Sequence, residues 1–322
     1  MTVSRILLIA IAPALASPCA SAQTYPTKVI RLVVPFPAGG VTDLIARLVG
    51  PKAGELLGQQ VIVDNRGGAG GTIGANNVAK SPADGYTLLL MGGGHTLAPN
   101  LYAKLPYDVV RDFAPISILA KTVYVLTVHS SVPAKSVRDL IAVAKAKPGA
   151  LSYASTGVGN LGHLSAEMFS AMANVKMNHV PYKGDSPAIA DLLGGQIDLG
   201  FFASSIVAPH IGTGKLRALG VTSAQRTSML PDLPAIAESN GLAGYDITSW
   251  LGVVAPVSTP PDIVSRLNGT LVKIVSTSDS RERFANLGFE PVSNTPEQFS
   301  IFIKAEVEKF ARLAKIAGIK PE

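Results

Sequence analysis

Apolar positions along this chain alternate between a period of two and a period near 3.6. Lys28 to Val34 reads as a strand, after which Val41, Leu44, Ile45, Leu48 and Val49 recur at offsets of 3, 4, 7 and 8, one stripe of a helix. Short strand patterns follow at Gln60 to Val63 and Tyr86 to Met91, separated by the loop Asp64 to Gly71 and a helix near Thr72 to Lys80. The first third therefore predicts β-α-β-α-β. The cycle restarts at Val123 to Val128, with helices over Val137 to Ala146, Leu161 to Met172 and Pro187 to Leu193. Strands at Leu151 to Ala154, Asn178 to Tyr182, Ile197 to Phe202 and Leu216 to Val221 complete a second unit on the same plan. A strand around Trp250 to Ala255 precedes three helical patterns, the last marked by Ile303, Val307, Phe310 and Ala314.

Too few strands remain after that point for a third sheet, so the closing helices are expected to pack back onto the first unit. The chain then crosses between two domains twice, near residues 122 and 249, which puts residues 23–122 with 250–322 in one domain and 123–249 in the other. Alternating βα units predict mostly parallel sheets. Ligands bind such sheets at the carboxyl ends of their strands, and a cleft between two of them is a binding site.

The first 22 residues change the picture of where the protein works. Arg5, the apolar run Ile6 to Ile11 and the small-x-small site Ala20-Ser21-Ala22 form a secretory signal cleaved near Ala22, with an apolar run too short to span a bilayer. Cys19 follows Ser17-Pro18, a poor lipobox. Cleavage leaves 322 less 22, or 300 residues, with no cysteine, so the exported chain is held by its core alone and has the length at which cores divide. The expected product is soluble and periplasmic. Its net charge of +6, or +5 once Arg5 is removed, favours small anions in a general way. Lys and Arg are scattered with no run of five, so nucleic acid is not an expected partner.

Two glycine-rich stretches carry the candidate chemistry, Pro35 to Asp43 and Tyr153 to His163. Each follows a strand and opens a helix, where unpaired N–H groups and the helix dipole cradle an anion. Gly157-x-Gly159-x-x-Gly162 also matches the spacing of a dinucleotide fingerprint, but Asn174 to Val180 offers no acid for a ribose hydroxyl. The five histidines are far apart, with no i, i+4 pair, no Gly-x-Ser-x-Gly elbow and no mature thiol. No catalytic set, metal site or cofactor is expected. His163 reads as a helix-start residue bonding the backbone, and Asp43 as compensation for the helix dipole. Gly92-Gly93-Gly94-His95-Thr96 lies at a strand's carboxyl end, which makes His95 and Thr96 candidates for the cleft wall. Asn65 to Gly74 reads as either a nest or a turn, and Asn268-Gly269-Thr270 matches a glycosylation sequon.

These residues also carry a resemblance. The ordered series Tyr25-Pro26, Val33-Val34-Pro35-Phe36, Ala38-Gly39-Gly40, Asp64-Asn65-Arg66, Asp84-Gly85-Tyr86-Thr87-Leu88, Leu105-Pro106-Tyr107-Asp108, Asp112-Phe113-Ala114-Pro115, His179-Val180-Pro181-Tyr182-Lys183-Gly184, Asp191 to Gly195 and Gly214 to Leu219 resembles the Bug family across the whole mature chain. That family comprises periplasmic solute receptors of tripartite tricarboxylate transporters. The resemblance implies an α/β, two-domain periplasmic binding protein of type II, a Venus flytrap with two crossovers. It also implies a small carboxylate held in the cleft mainly by backbone N–H groups, hydroxyls and waters. By position, Phe36, Ala38, Gly39, Gly40, Thr42 and Asp43 would form one jaw, and Ser155, Thr156, Gly157 and His163 the other. Implied partners are the ligand and membrane permease subunits, with no enzyme activity and a monomeric state. Many members place a small polar or acidic residue where this chain has Phe202, followed by Ala203. A phenyl ring cannot accept from an amine, so the expected ligand lacks an amino group and has a flat or apolar body. A receptor that presents its ligand to a membrane sensor, and a secreted α/β enzyme acting on a carboxylate, remain alternatives.

Overall fold

The computed structural model describes residues 25–316, 318 and 321. The expected leader, Cys19 included, lies outside these residues. The chain opens with β1 (Ile30–Val34), α1 (Val41–Leu57), β2 (Val61–Asn65), α2 (Thr72–Ala79), β3 (Thr87–Gly92) and the short α3 (Gly93–Leu97). Next come β4 (Phe113–His129), α4 (Val137–Ala146), β5 (Ser152–Ser155), α5 (Leu161–Ala173), β6 (Asn178–Pro181), α6 (Asp185–Leu193), β7 (Leu199–Ala203), α7 (Ser204–Gly212) and β8 (Leu216–Val221). The chain closes with β9 (Thr248–Pro256), α8 (Pro261–Ser276), α9 (Ser278–Asn286), β10 (Glu290–Pro291) and α10 (Pro296–Ile316).

A single strand serves both halves of the molecule. β4 runs for 17 residues. Its first part, Phe113 to Val123, pairs with β9, and its last part, Tyr124 to His129, pairs with β7 on one side and β8 on the other. The ladder reads β2-β1-β3-β9-β4-β7-β5-β6, with β8 and β10 also against β4. The result is an α/β fold of two lobes joined through β4 and the entry to β9. The sheets are mixed, which corrects the expectation of mostly parallel strands. Within the βα units β1–β2, β1–β3, β5–β6 and β5–β7 are parallel, whereas every pairing of β4 and β9 is antiparallel.

Sequence pattern placed the start of this strand at Val123, and the structure begins it at Phe113. Pro115 has no N–H to give a ladder, and the register shifts between Pro115 and Ser117 and again between Ile118 and Ala120. That irregularity hid the strand. Pro209 likewise sits inside α7, a helix that the pattern did not reveal.

Helices form where the periodic stripe predicts them and end at identifiable residues. α1 buries Ile45, Ala46, Val49, Ala53 and Leu57, and stops at Gly58, whose φ of 73° is left-handed and whose N–H returns to the Gly54 carbonyl. α10 differs from expectation because it does not rest on the first lobe alone. Phe299 and Ile303 join the core that holds Val33, Leu89 and Trp250, while Phe310 and Leu313 join the core of Leu164, Phe169 and Phe201. The last helix therefore straddles both lobes. Asn268 of the apparent sequon donates its amide to the carbonyls of Ile116 and Asn294, both at 2.8 Å, and is consumed in tying α8 to β4. No helix among the described residues is long and apolar enough to cross a membrane.

The seat of α10 depends on a glycine. At Gly252 of β9 an added Cβ would lie 2.4 Å from Phe299 Cζ and 2.9 Å from the Ser117 carbonyl oxygen. Overpacking of this kind costs about 1–3 kcal/mol. Gly252→Ala is expected to lower the urea unfolding midpoint by an amount equivalent to about 2 kcal/mol.

Candidate functional site

The first jaw is a helix end left open. α1 begins at Gly40, an N-cap without a side chain to cover the helix, and its first internal bond runs from Leu44 N–H to the Gly40 carbonyl at 3.0 Å. The N–H groups of Val41, Thr42 and Asp43 thus project from the helix end with no acceptor among the described residues. Together with the dipole they form a local positive pole. Ala38, Gly39 and Gly40 are exposed around it, with Phe36 and Thr42 half-buried. Gly39 takes a φ of 86°, and an added Cβ there would meet nothing within 4 Å, so the space beside it is open.

Asp43 holds this loop from below. Its carboxylate is buried and accepts from Gly39 N–H at 2.9 Å, Arg47 Nε at 2.9 Å and Asn65 Nδ2 at 3.0 Å. Asn65 also donates to the Phe36 carbonyl at 3.1 Å, bridging the two ends of the turn. Burial alone would raise the Asp43 pKa, but the bonds from Arg47, Gly39 and Asn65 outweigh it and hold the group below the ordinary carboxylate value. With both carboxylate oxygens engaged, Asp43 braces the jaw. Asn65 carries no local signal of this role, since it arrives through its register with Val34 across β1 and β2.

The second jaw is built differently, because its own side chains satisfy most of it. Ser155 Oγ is buried, donates to the Gly157 carbonyl at 3.0 Å and lies 2.7 Å from His179 Nε2. Thr156 Oγ1 accepts from Asn160 Nδ2. Asn160 caps α5 by accepting from His163 N–H at 2.8 Å, and Gly159 N–H donates to His163 Nδ1 at 3.2 Å. An Asn just before an apolar stripe is a cap signal, so Asn160 was open to sequence reasoning that fixed on the glycines instead. Gly162, third glycine of the apparent fingerprint, is explained by packing. A Cβ there would lie 2.6 Å from the Phe201 carbonyl oxygen, so its absence lets α5 sit on β7.

Three rings stack beneath this loop. His163 and His179 lie 4.2 Å apart between centroids at 15°, and Tyr153 lies 4.8 Å from His179 at 12°. Tyr153 donates to Glu167 Oε1, which is 3.9 Å from His163 Nε2. Burial lowers the His163 pKa from the ordinary value, against the charge of Glu167, and burial with the neighbouring His163 lowers His179 to about 4. Both rings are neutral near pH 7.

α3 joins the jaws. The rings of Phe36 and His95 meet edge-on at 6.3 Å. Across the cleft a Cβ added at Gly93 would sit 3.7 Å from Leu161 Cδ1, and one at Gly159 would sit 2.7 Å from Leu101 Cδ1. His95 is buried, with Nδ1 against the Gly92 backbone and Nε2 beside Gly71, and burial lowers its pKa to about 4 against the opposing effect of those backbone neighbours. Thr96 is buried too and donates to the Gly93 carbonyl at 2.7 Å. Phe202 requires a correction. Its ring is fully buried in the core with Val125, Ala154, Ala188 and Val207, folded over the bare Cα of Gly200. It does not face the cleft, which removes the basis for expecting a flat or apolar ligand body. Ala203, the last residue of β7, is half-buried at the start of α7. No group of three or more His, Cys, Asp or Glu side chains among the described residues is placed to hold a metal.

Residues 45–319 match the model of the tripartite tricarboxylate transporter family receptor. The chain is 38% identical to Rpa4515 of R. palustris, solved with adipate, covering 92% of this chain and 100% of that one at a TM-score of 0.84. It is 35% identical to the periplasmic binding protein BugD, with 92% and 100% covered and a TM-score of 0.81. It is 29% identical to MatC of Rhodopseudomonas palustris with bound malate, with 90% and 99% covered and a TM-score of 0.79.

The brace under the first jaw carries its own pH signature. Asp43→Asn is expected to cost about 1–2 kcal/mol of unfolding free energy at neutral pH, through weakened charge-assisted bonds. Because the native carboxylate is held below its ordinary pKa of 3.8, that difference is fully present above this value and vanishes as pH falls through and below it. Urea titrations of both proteins at neutral and acid pH read the effect.

Proposed function

We propose, from the premise that this chain belongs to the tripartite tricarboxylate transporter receptor family, that it captures a small carboxylate between its two lobes and delivers it to the membrane subunits of such a transporter. The observation that carries this reading is the open N-terminus of α1, whose N–H groups stand at the carboxyl end of β1 with no acceptor among the described residues. A carboxylate supplies what that helix end lacks. The relatives solved with adipate and malate support the ligand class, and small aliphatic dicarboxylates lead the ligands to test. As BugD is a periplasmic binding protein, we place this chain in the periplasm as a binder rather than a catalyst.

Phe36, Ala38, Gly39, Gly40 and Thr42 would surround the carboxylate on one side and Ser155, Thr156 and Gly157 on the other. Residues 23–122 with 250–322 are assigned to the first lobe and 123–249 to the second. Micromolar affinity corresponds to about −8 kcal/mol. Charge-assisted hydrogen bonds at about 1.5–3 kcal/mol each reach that figure only when both jaws contribute, since association and desolvation subtract from the gross sum. Closure follows from that difference, because only the shut form lets both loops hold one ligand.

A covalently placed rival for the same seat tests the scheme. Gly40 has φ −77° and ψ 167°, which any residue adopts, and a Cβ there has only the Pro37 carbonyl oxygen near, at 3.7 Å. Gly40→Asp should cap α1 with its own carboxylate, leaving the melting temperature equal or slightly higher. Binding of adipate and malate by calorimetry should fall about a hundredfold, or about 2.7 kcal/mol. Undiminished affinity in the variant, for any ligand that the wild type binds, would remove α1 from the site.

A further inference from the structure

We propose that His163 and His179 are positioning residues for the second jaw, and that their stacked rings hold the Ser155–Asn160 loop ready for a carboxylate only while His163 is neutral. This rests on the carboxylate-capture reading and adds proton control to it. The loop is tied to the pair at two points. Gly159 N–H donates to His163 Nδ1, and Ser155 Oγ lies 2.7 Å from His179 Nε2.

The direction of the first bond fixes the tautomer. A nitrogen that accepts has no proton, so the neutral His163 carries its proton on Nε2, the atom facing Glu167. A second proton can enter only at Nδ1. There it destroys the acceptor and sets two N–H groups against each other. On the other ring, Ser155 already donates to the Gly157 carbonyl, so His179 Nε2 is the donor toward Ser155 Oγ, and its second proton goes to Nδ1. Two cationic rings with centroids 4.2 Å apart would also repel.

Among the described residues the groups facing the pair come from three elements: Glu167 from α5, Tyr153 and Ser155 from β5, and His179 itself from β6. Glu167 is the one negative charge in that set. It attracts a proton to Nε2, which is already protonated, and its Oε1 also accepts from Tyr153. It therefore opposes the effect without rescuing the Gly159 bond. With both folded pKa values below the ordinary imidazole value of 6.5, the neutral arrangement is intact above that value and is lost as pH falls below it through the His163 midpoint, with His179 held neutral down to about 4.

The test is an NMR titration of the ligand-free full chain between about pH 7.5 and about pH 4.5, reading the Gly159 amide protection factor beside the His163 ring protons. In wild type the protection should fall about tenfold with the His163 midpoint. In His163→Asn, whose Oδ1 stands where Nδ1 accepts but does not titrate, it should stay constant. Wild-type affinity for adipate should fall at least threefold relative to His163→Asn over the same range, a ratio from which the titration of adipate itself cancels. Protection that stays flat in wild type while His163 titrates, or that falls equally in the variant, overturns the proposal. If His163→Asn does not fold, His163→Gln and the wild-type titration decide by the same criterion. Failure of adipate to bind at any pH counts against adipate as a ligand, and the Gly159 amide still decides the proton control.

Discussion

Everything in this molecule hangs on one strand belonging to two sheets. The first part of β4 is bonded to β9 and its last part to β7 and β8, so neither lobe has an intact sheet without it. The lobes cannot drift apart without breaking a buried ladder. The two cleft loops inherit their separation from this constraint. They sit at the carboxyl ends of β1 and β5, strands that run in opposite directions on opposite sides of the shared one.

On that frame the jaws divide the work unequally. The first is an unfinished helix end, braced by Asp43, Arg47 and Asn65 but with its own N–H groups unanswered among the described residues. The second has answered most of its own polar groups through Ser155, Thr156, Asn160 and His163. An anion gains most where hydrogen-bond capacity is left over, so on the proposed reading the first jaw would be the seat and the second a preformed cover. On that reading the backbone would carry the chemistry of the site, and side chains act by holding that backbone in place. This also explains why an inventory of charged residues reveals little about function.

Periodic elements were legible in the sequence because burial imposes their period. α4 and β8 fall on the residues that the pattern marks. Both glycine loops were legible as well, since a strand running into a helix start needs no tertiary knowledge. What was hidden depends on partners distant in sequence. Half of β4 was obscured by Pro115, whose missing N–H is tolerated only because bulges absorb it. The direction of Phe202 was set by alternation along β7, which sends Phe201 into one core and Phe202 into the other. His179 gave no local sign of its role, because it meets Tyr153 only through the register of β5 with β6.

The position of β9 sets an order of assembly. It lies between β3 and β4, so the sheet of the first lobe has a gap at its centre until residues 248–256 are available. The sheet of the second lobe needs only β4 to β8 and is complete by Val221. As the chain emerges from its amino end, β1 and β3 must wait as an open half-sheet while the later lobe closes around β4. The part of the molecule that begins first is finished last, and its exposed strand edges are what a chaperone would need to cover in the interval.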